Sequence, residues 1–124
     1  MGTAMELARE GFAAWQRGDL DGLESMLDPA VQWGSFEPGE WDCHDRHDVM
    51  RTLRDRLEQG FNRGALEFVE AGEDRVVVVA HPSEVGGPEW PDETATMITF
   101  RDGKVVEMQD YPTRSEALEA AGIT

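Results

Sequence analysis

A carboxylate and an imidazole stand in this sequence where a strand pattern calls for apolar side chains. Asp110 follows Val106 and Met108 at the spacing of two that puts side chains on one face of a strand. His81 ends a valine-rich segment and is in phase with two of its members, Val77 and Val79. Burial would raise the pKa of Asp110 unless a partner stabilised the charge. Asp110 and His81 are therefore the candidate catalytic residues, an acid/base pair suited to neutral pH. A structural ion pair, or two groups lining a wet pocket mouth, would leave the same pattern.

The four tryptophans fall into two groups. Trp15 lies on the apolar side of a predicted helix, and Trp33 ends a predicted strand. Both could form the wall of a pocket for a flat apolar ligand, or they could pack in an ordinary core. Trp41 and Trp90 lie in segments rich in glycine and proline, where a tryptophan is typical of a lid or an interface.

The segment from Cys43 to Asp48 concentrates residue types that bind metals, including His44 and His47. A structural zinc site needs four closely held ligands, and the sequence offers neither a second cysteine nor a His-x-x-x-His pair. We predict that this segment binds no metal. It is predicted instead to begin a helix, where the helix dipole stabilises acidic side chains. No glycine-rich loop follows a strand and opens a helix, so we predict that the protein uses no cofactor.

Charge and length narrow the class of protein further. The chain of 124 residues has 26 acidic and 11 basic side chains, for a formal charge of −15. This charge argues against binding to nucleic acid or to anionic membrane surfaces. The length predicts a single domain over residues 1–124. The single cysteine, and an N-terminus without a basic and then apolar stretch, favour a cytoplasmic location.

Helices come first in the predicted order of elements, and strands follow. Apolar residues at helical spacing predict a helix that Gly18 ends, a second helix capped by Asp19, and a third capped by Asp45. Strands are predicted at 30–33, 66–70, 76–80, 94–101 and 104–111, and a last helix at 115–121. This order predicts an α+β fold in which an antiparallel sheet curls over the helices.

A sheet that curls over helices in this way forms a half-open cone. The wide end of the cone has a pocket, which is a common place for a small ligand. Besides the acid/base pair, the residues that we expect to line it are Trp15, Trp33, Trp41, Thr96, Ile98, Val106 and Met108. The opposite face of the sheet is semi-apolar and has no predicted helix to cover it; it presents Ala95, Met97, Thr99, Val105, Glu107 and Gln109. Antiparallel sheets with such faces commonly pair with a second copy, so we predict a homodimer.

Two stretches resemble a known superfamily. Residues 11–22, GFAAWQRGDLDG, resemble the first helices of the nuclear transport factor 2-like superfamily, and residues 99–106, TFRDGKVV, resemble its closing hairpin. The chain looks like a SnoaL-like or ketosteroid-isomerase-like member. The resemblance implies a cone-shaped fold, with three N-terminal helices packed in a curved mixed or antiparallel sheet and a short C-terminal helix. It also implies a homodimer formed through the sheet. The superfamily hosts isomerases, cyclases, dehydratases, epoxide hydrolases and binding proteins, so it does not fix a function.

Two enzyme groups within the resemblance suggest different residues. The three catalytic places of ketosteroid isomerases fall near Gly11, near Gly34 or Ser35, and near Thr96, and all three are vacant in this sequence. The run Gln109-Asp110-Tyr111-Pro112 resembles the Arg-Asp-Tyr-Phe run of limonene epoxide hydrolases and puts Asp110 in the place of a catalytic aspartate. The places of that aspartate's partners, an arginine and a second aspartate, fall near His81 and Ser83.

Two functions remain open at this point. One is an enzyme that isomerises, cyclises, dehydrates or hydrates a small apolar molecule by acid/base chemistry. The other is a non-catalytic ligand-binding or dimerisation module with the same fold. An enzyme of the first kind needs Asp110 and His81 to face one cavity within hydrogen-bond reach, directly or through a water.

Overall fold

The computed structural model describes residues 3–34 and 42–122, and its elements follow the predicted order. The helices are α1 (Ala4–Arg17), α2 (Leu20–Met26), α3 (Arg46–Glu58), α4 (Ser83–Gly86) and α5 (Arg114–Ala120), with a 3-10 turn at Phe61–Arg63. The strands are β1 (Leu27–Gly34), β2 (Leu66–Glu70), β3 (Arg75–Ala80), β4 (Thr94–Arg101) and β5 (Lys104–Tyr111). Neither the 3-10 turn nor the single turn of α4 was predicted, and both lie in segments predicted to be irregular because of their glycines or prolines. Strand β1 begins at Leu27, three residues earlier than predicted.

Local side-chain chemistry fixes the ends of the helices. Gly18 ends α1 with φ of 75°, a left-handed conformation that glycine adopts without steric cost. The Asp19 side chain accepts the backbone N–H of Gly22 at the start of α2. Asp45 does the same for Asp48 at the start of α3. The predicted caps are therefore confirmed, because each satisfies a backbone donor that the helix leaves unpaired.

The five strands form one sheet in the order β1-β5-β4-β3-β2. All neighbours are antiparallel except β1, which pairs in parallel with β5. The sheet is therefore mixed, as the resemblance allowed, and its one parallel pair lies at this edge. The last strand, β5, lies between β4 and β1, so the first and last strands of the chain are neighbours in the sheet.

Both faces of the sheet are covered, which corrects the expectation that helices lie on one side only. On one face, Val76, Val78 and Ile98 pack with residues of α1 and α3 in the main core. On the other face, Val77 and Val79 pack with Ala117 of α5 in a second, smaller cluster. The four central valines of β3 are at most 3% exposed, as expected for a strand buried on both faces.

A bulge in β5 changes which residues face the main core. The pairing with β4 advances one residue, from Thr99 to Phe100, while β5 moves two, between Glu107 and Val105. Val106 is the extra residue, and Val105 joins Met108 on the core side. The prediction that Val106 lines the pocket is therefore wrong, because strict alternation does not survive a bulge.

Within residues 3–34 and 42–122, no helix has both the length and the apolar character that a membrane span requires.

Candidate active site

A cavity of about 690 Å³ lies between the helices and the core side of the sheet. Its wall is mostly apolar and includes the predicted residues Trp15, Trp33, Thr96, Ile98 and Met108. Among residues 3–34 and 42–122, three ionisable side chains also line it: Asp110, His81 and Arg56. Trp41, the remaining predicted wall residue, lies outside the described residues. The cavity is of the size that holds drug-like or metabolite-sized ligands.

Asp110 is held by two donors from neighbouring strands. Its Oδ1 accepts the indole N–H of Trp33 at 2.9 Å and the hydroxyl of Thr96 at 2.7 Å. Thr96 faces Asp110 directly across the β4–β5 ladder. In the described part of the chain, the second carboxyl oxygen, Oδ2, accepts no hydrogen bond. We call Trp33, Thr96 and Asp110 the strand site.

The surroundings of Asp110 favour its neutral form. Burial against the apolar wall raises the pKa of the Asp110 carboxyl, and this effect exceeds the opposing ones. The hydrogen bonds from Trp33 and Thr96 lower the pKa, as does the positive charge of Arg56, while the charge of Asp42 raises it. A carboxyl group whose pKa is raised in this way can act as an acid or a base closer to neutral pH.

Arg56 reaches the cavity from α3. Its guanidinium carbon lies 4.8 Å from the centre of the Trp33 ring, a cation–π arrangement. We did not predict Arg56 as a site residue, although the sequence carried a signal for it. Arg56 follows Val49 and Leu53 at helical spacing, so it interrupts the apolar stripe of α3 on the side that faces the sheet.

His81 lies at the edge of the cavity, in the loop between β3 and β4. Its Nδ1 is 3.0 Å from the backbone carbonyl oxygen of Asp92. A carbonyl oxygen can only accept, so Nδ1 carries the proton and Nε2 is the acceptor in the neutral ring. The hydroxyl of Ser83 donates to the Asp92 side chain at 2.9 Å and holds the same loop.

His81 and Asp110 share the cavity but are not hydrogen-bonded to each other. Asp110 pairs with Thr96, and Thr96 pairs with Val78, two strands away from β5. His81 lies three residues beyond Val78. Strand spacing and rise put the Cα atoms of His81 and Asp110 roughly 14 Å apart, too far for direct contact. The strand-phase argument for His81 is also corrected: Val77 and Val79 face α5, and His81 reaches the cavity because β3 ends at Ala80.

An aromatic pair forms another part of the cavity edge. The rings of Phe61 and Trp90 lie 4.5 Å apart and edge to face. Both line the cavity, and Trp90 is 41% exposed. We call Phe61, His81 and Trp90 the loop edge. The sequence left open whether Trp90 belongs to a lid or an interface, and the structure places it against Phe61 at the cavity edge.

Comparison with known proteins identifies the family. Residues 8–108 match the model of the SnoaL-like domain. The chain belongs to the SnoaL-like domain family. No curated protein matches the sequence at a significant level.

Solved structures show the same fold for this SnoaL-like protein. A nuclear transport factor 2-like protein of unknown function from Burkholderia pseudomallei is 23% identical, with 96% of this chain and 97% of that chain covered and a TM-score of 0.62. A proposed polyketide cyclase from Sinorhizobium meliloti is 18% identical, with coverages of 86% and 94% and a TM-score of 0.64. TerC, crystallised with polyporic acid, is 19% identical, with coverages of 95% and 96% and a TM-score of 0.60. The predicted superfamily and α+β fold are confirmed.

The cysteine and histidine segment of the SnoaL-like protein begins α3. Cys43 is buried, its Sγ lies 3.5 Å from the Thr52 hydroxyl, and burial raises the pKa of its thiol. The backbone of Cys43 also bridges to that of Trp33, in an isolated pair that steadies the end of β1. No three histidine, cysteine, aspartate or glutamate side chains come together as a metal site among the described residues.

Proposed function

We propose that this SnoaL-like protein binds a small apolar molecule in its cavity and performs acid/base chemistry on it with Asp110. The observation that carries the proposal is the position of Asp110. Among the described residues, Asp110 supplies the one carboxyl group that lines this mostly apolar cavity, and one of its oxygens is held by Trp33 and Thr96. A proton can then be accepted or donated at Oδ2 while the group stays in place.

The proposed reaction class follows from this arrangement. A carboxylate in an apolar cavity is a stronger base than one in water, because water no longer stabilises its charge. Removal of a proton from a carbon next to a carbonyl, followed by its return elsewhere, gives isomerisation. The same proton transfers, coupled to ring closure or to loss or addition of water, give cyclisation, dehydration or hydration.

His81 has a separate role in the proposal. Since it lies too far from Asp110 to share a proton with it directly, it contacts the opposite end of an elongated ligand. With Nδ1 committed to the Asp92 carbonyl, Nε2 is the atom left to accept a proton or a hydrogen bond from that ligand. Two acid/base groups at two ends of one cavity suit a substrate with polar groups at both ends.

A model reaction tests the base without knowledge of the substrate. A general base removes the C3 proton of 5-nitrobenzisoxazole; the N–O bond breaks, the nitrile forms and the coloured phenolate is released. We expect Asp110→Asn to lower this rate by about 10²–10⁴-fold. Glu107→Gln is the matched control, since Glu107 is exposed on the same strand, and its rate should equal that of the wild type. A wild-type rate equal to that of Asp110→Asn would overturn the acid/base proposal and leave the ligand-binding module.

The thermal stability of Asp110→Asn shows whether the fold of this variant is intact. The amide oxygen introduced by Asp110→Asn can still accept from Trp33 and Thr96. Because the folded pKa of Asp110 is raised, ionisation of Asp110 lowers the stability of the wild type as pH rises through that pKa. Asp110→Asn should therefore be more stable than the wild type at neutral pH, and this advantage should vanish below the ordinary pKa of aspartate. A lower melting temperature at neutral pH would contradict the burial argument.

We also propose that the protein is a homodimer. Four partly buried apolar residues, three on strands and one on α5, border the second cluster: Val69, Met97, Tyr111 and Leu118. Pairing of this face with a second copy would bury them completely. Light scattering should give twice the chain mass, and Met97→Glu should give the mass of one chain. A wild-type monomer at tens of micromolar, above the dissociation constants of stable dimers, would reject the proposal.

A further inference from the structure

We infer that the ligand of this cavity carries an anionic group, which Arg56 binds. The inference rests on the proposed function and names the class of molecule that the same cavity takes: an apolar molecule that carries one acidic group. Its basis is a guanidinium placed on the wall of an apolar cavity in a strongly acidic protein.

Arg56 is placed as a binding group rather than as a structural one. Its guanidinium lies over the Trp33 ring, which orients it without using its N–H donors. In residues 3–34 and 42–122, no carboxylate forms an ion pair with Arg56, whereas Arg17, Arg51 and Arg114 each have one. The donors of Arg56 are therefore available to a ligand, and a guanidinium is suited to a carboxylate, sulfonate or phenolate.

The charges around Arg56 decide what it can bind. Arg56 and Asp110 act on each other through their charges, and burial raises the pKa of the Asp110 carboxyl, so it takes up a proton more readily than an exposed aspartate. Asp42 also acts on Asp110, and it has an interaction of its own within the chain. An incoming anion next to Arg56 would thus meet one full positive charge and a carboxyl group that can be protonated. It would also displace little water, because the surrounding wall is apolar.

The chemical consequence is a fixed orientation of the ligand. The anion lies against Arg56 and Trp33, the apolar body fills the cavity, and the reacting atom comes next to Oδ2 of Asp110. A neutral ligand of the same shape would bind without this orientation. The net charge of −15 opposes the approach of any anion, so a preference for an anionic ligand requires a local cation.

Two fluorescent probes with one skeleton test the inference. 8-Anilinonaphthalene-1-sulfonate is anionic, and N-phenyl-1-naphthylamine is its neutral counterpart. We expect Arg56→Gln to weaken binding of the sulfonate about tenfold, the effect of one charge-assisted hydrogen bond, and to leave the neutral probe unchanged. Arg54→Gln is the matched control: it removes the same charge from the same helix, and Arg54 does not line the cavity. It should alter neither affinity by more than about twofold.

The outcomes separate this inference from the proposed function. Equal weakening of the sulfonate by Arg56→Gln and Arg54→Gln would show a general charge effect and overturn the anionic-ligand inference. Unchanged sulfonate affinity in Arg56→Gln would overturn it as well. If the neutral probe does not bind the wild type at all, the apolar cavity of the proposed function fails first. Added salt should weaken sulfonate binding to the wild type more than to Arg56→Gln.

Discussion

The strand site and the loop edge face the same cavity but are held in different ways. Trp33, Thr96 and Asp110 come from three strands that lie side by side, so the backbone ladder fixes their spacing. Phe61, His81 and Trp90 come from connecting segments and are held by an aromatic contact and a few exposed hydrogen bonds. The strand site therefore suits chemistry that needs fixed geometry, and the loop edge suits admission and release of a ligand.

The strand site and the loop edge also differ in the strength of their hydrogen bonds. The hydrogen bonds of the strand site are partly buried, and one partner is a carboxyl group, so each is stronger than an exposed bond between neutral groups. The bonds of the loop edge are exposed and compete with water. Substitutions in the strand site should thus change the free energy of unfolding and the pKa of Asp110, while those at the loop edge should change ligand exchange.

The largest loss is expected when the indole donor is removed. Trp33→Phe keeps an aromatic ring but loses the N–H that Asp110 accepts, so it should lower the free energy of unfolding by roughly 2 kcal/mol. The loss should shrink as pH falls through the pKa of Asp110, because a neutral acceptor gains less from the donor. Urea unfolding at several pH values measures it. Trp15→Phe is the control; an equal, pH-independent loss there would show that ring size alone matters.

A smaller loss is expected from the hydroxyl donor. Thr96→Val keeps the shape of the side chain and removes the 2.7 Å bond to Asp110, which should cost about 1 kcal/mol and raise the pKa of Asp110 further. Thr94→Val changes the same atoms on the same strand, and Thr94 lines the cavity without a bond to Asp110. The pH dependence of the model reaction reports the pKa. Identical profiles for the two variants would refute the role given to Thr96.

The aromatic pair of the loop edge is expected to contribute less to stability and more to exchange. Trp90→Ala removes an edge-to-face contact worth about 0.5–1.5 kcal/mol, reduced here because Trp90 is 41% exposed. N-phenyl-1-naphthylamine should leave the variant several times faster in stopped-flow fluorescence. Trp90→Phe, which keeps a ring against Phe61, should restore the slower release. Unaltered release in Trp90→Ala would remove the lid interpretation.

The smallest effect is expected at His81. His81→Asn keeps a donor near the position of Nδ1, so the free energy of unfolding should stay within about 0.5 kcal/mol of the wild type. The rate with 5-nitrobenzisoxazole should change less than about twofold, because that small molecule is deprotonated at the strand site alone. A loss as large as that of Asp110→Asn would mean that the two residues act as one unit, as the sequence pattern suggested.

Most of the fold could be predicted because its signals are local. Several features depend only on neighbours a few residues away: the caps at Asp19 and Asp45, the glycine that ends α1, and the turn between β4 and β5. The bounds predicted for β4 and β5 are those observed, at 94–101 and 104–111. Asp110 was found for the same reason, since a carboxylate in phase with Met108 conflicts with the strand pattern.

The site itself required long-range information. Trp33 and Asp110 are far apart in sequence, and they meet only because β1 pairs in parallel with β5. The bulge at Val106 depends on the partner strand. The phase argument for His81 failed because Val77 and Val79 face α5 and not the cavity. Arg56 could be read as a break in an apolar stripe, but not as a group stacked on Trp33.

The sequence by itself determined the order of the elements and the presence of an ionisable group on an apolar face, because capping, periodicity and turn chemistry act over a few residues. Its resemblance to known proteins indicated the family. Only the tertiary structure decided which groups surround that carboxyl. Trp33, Thr96 and Arg56 come from β1, β4 and α3, and strand pairing and helix packing bring them together. The pKa of Asp110 depends on burial and charge in three dimensions, which no spacing along the chain specifies.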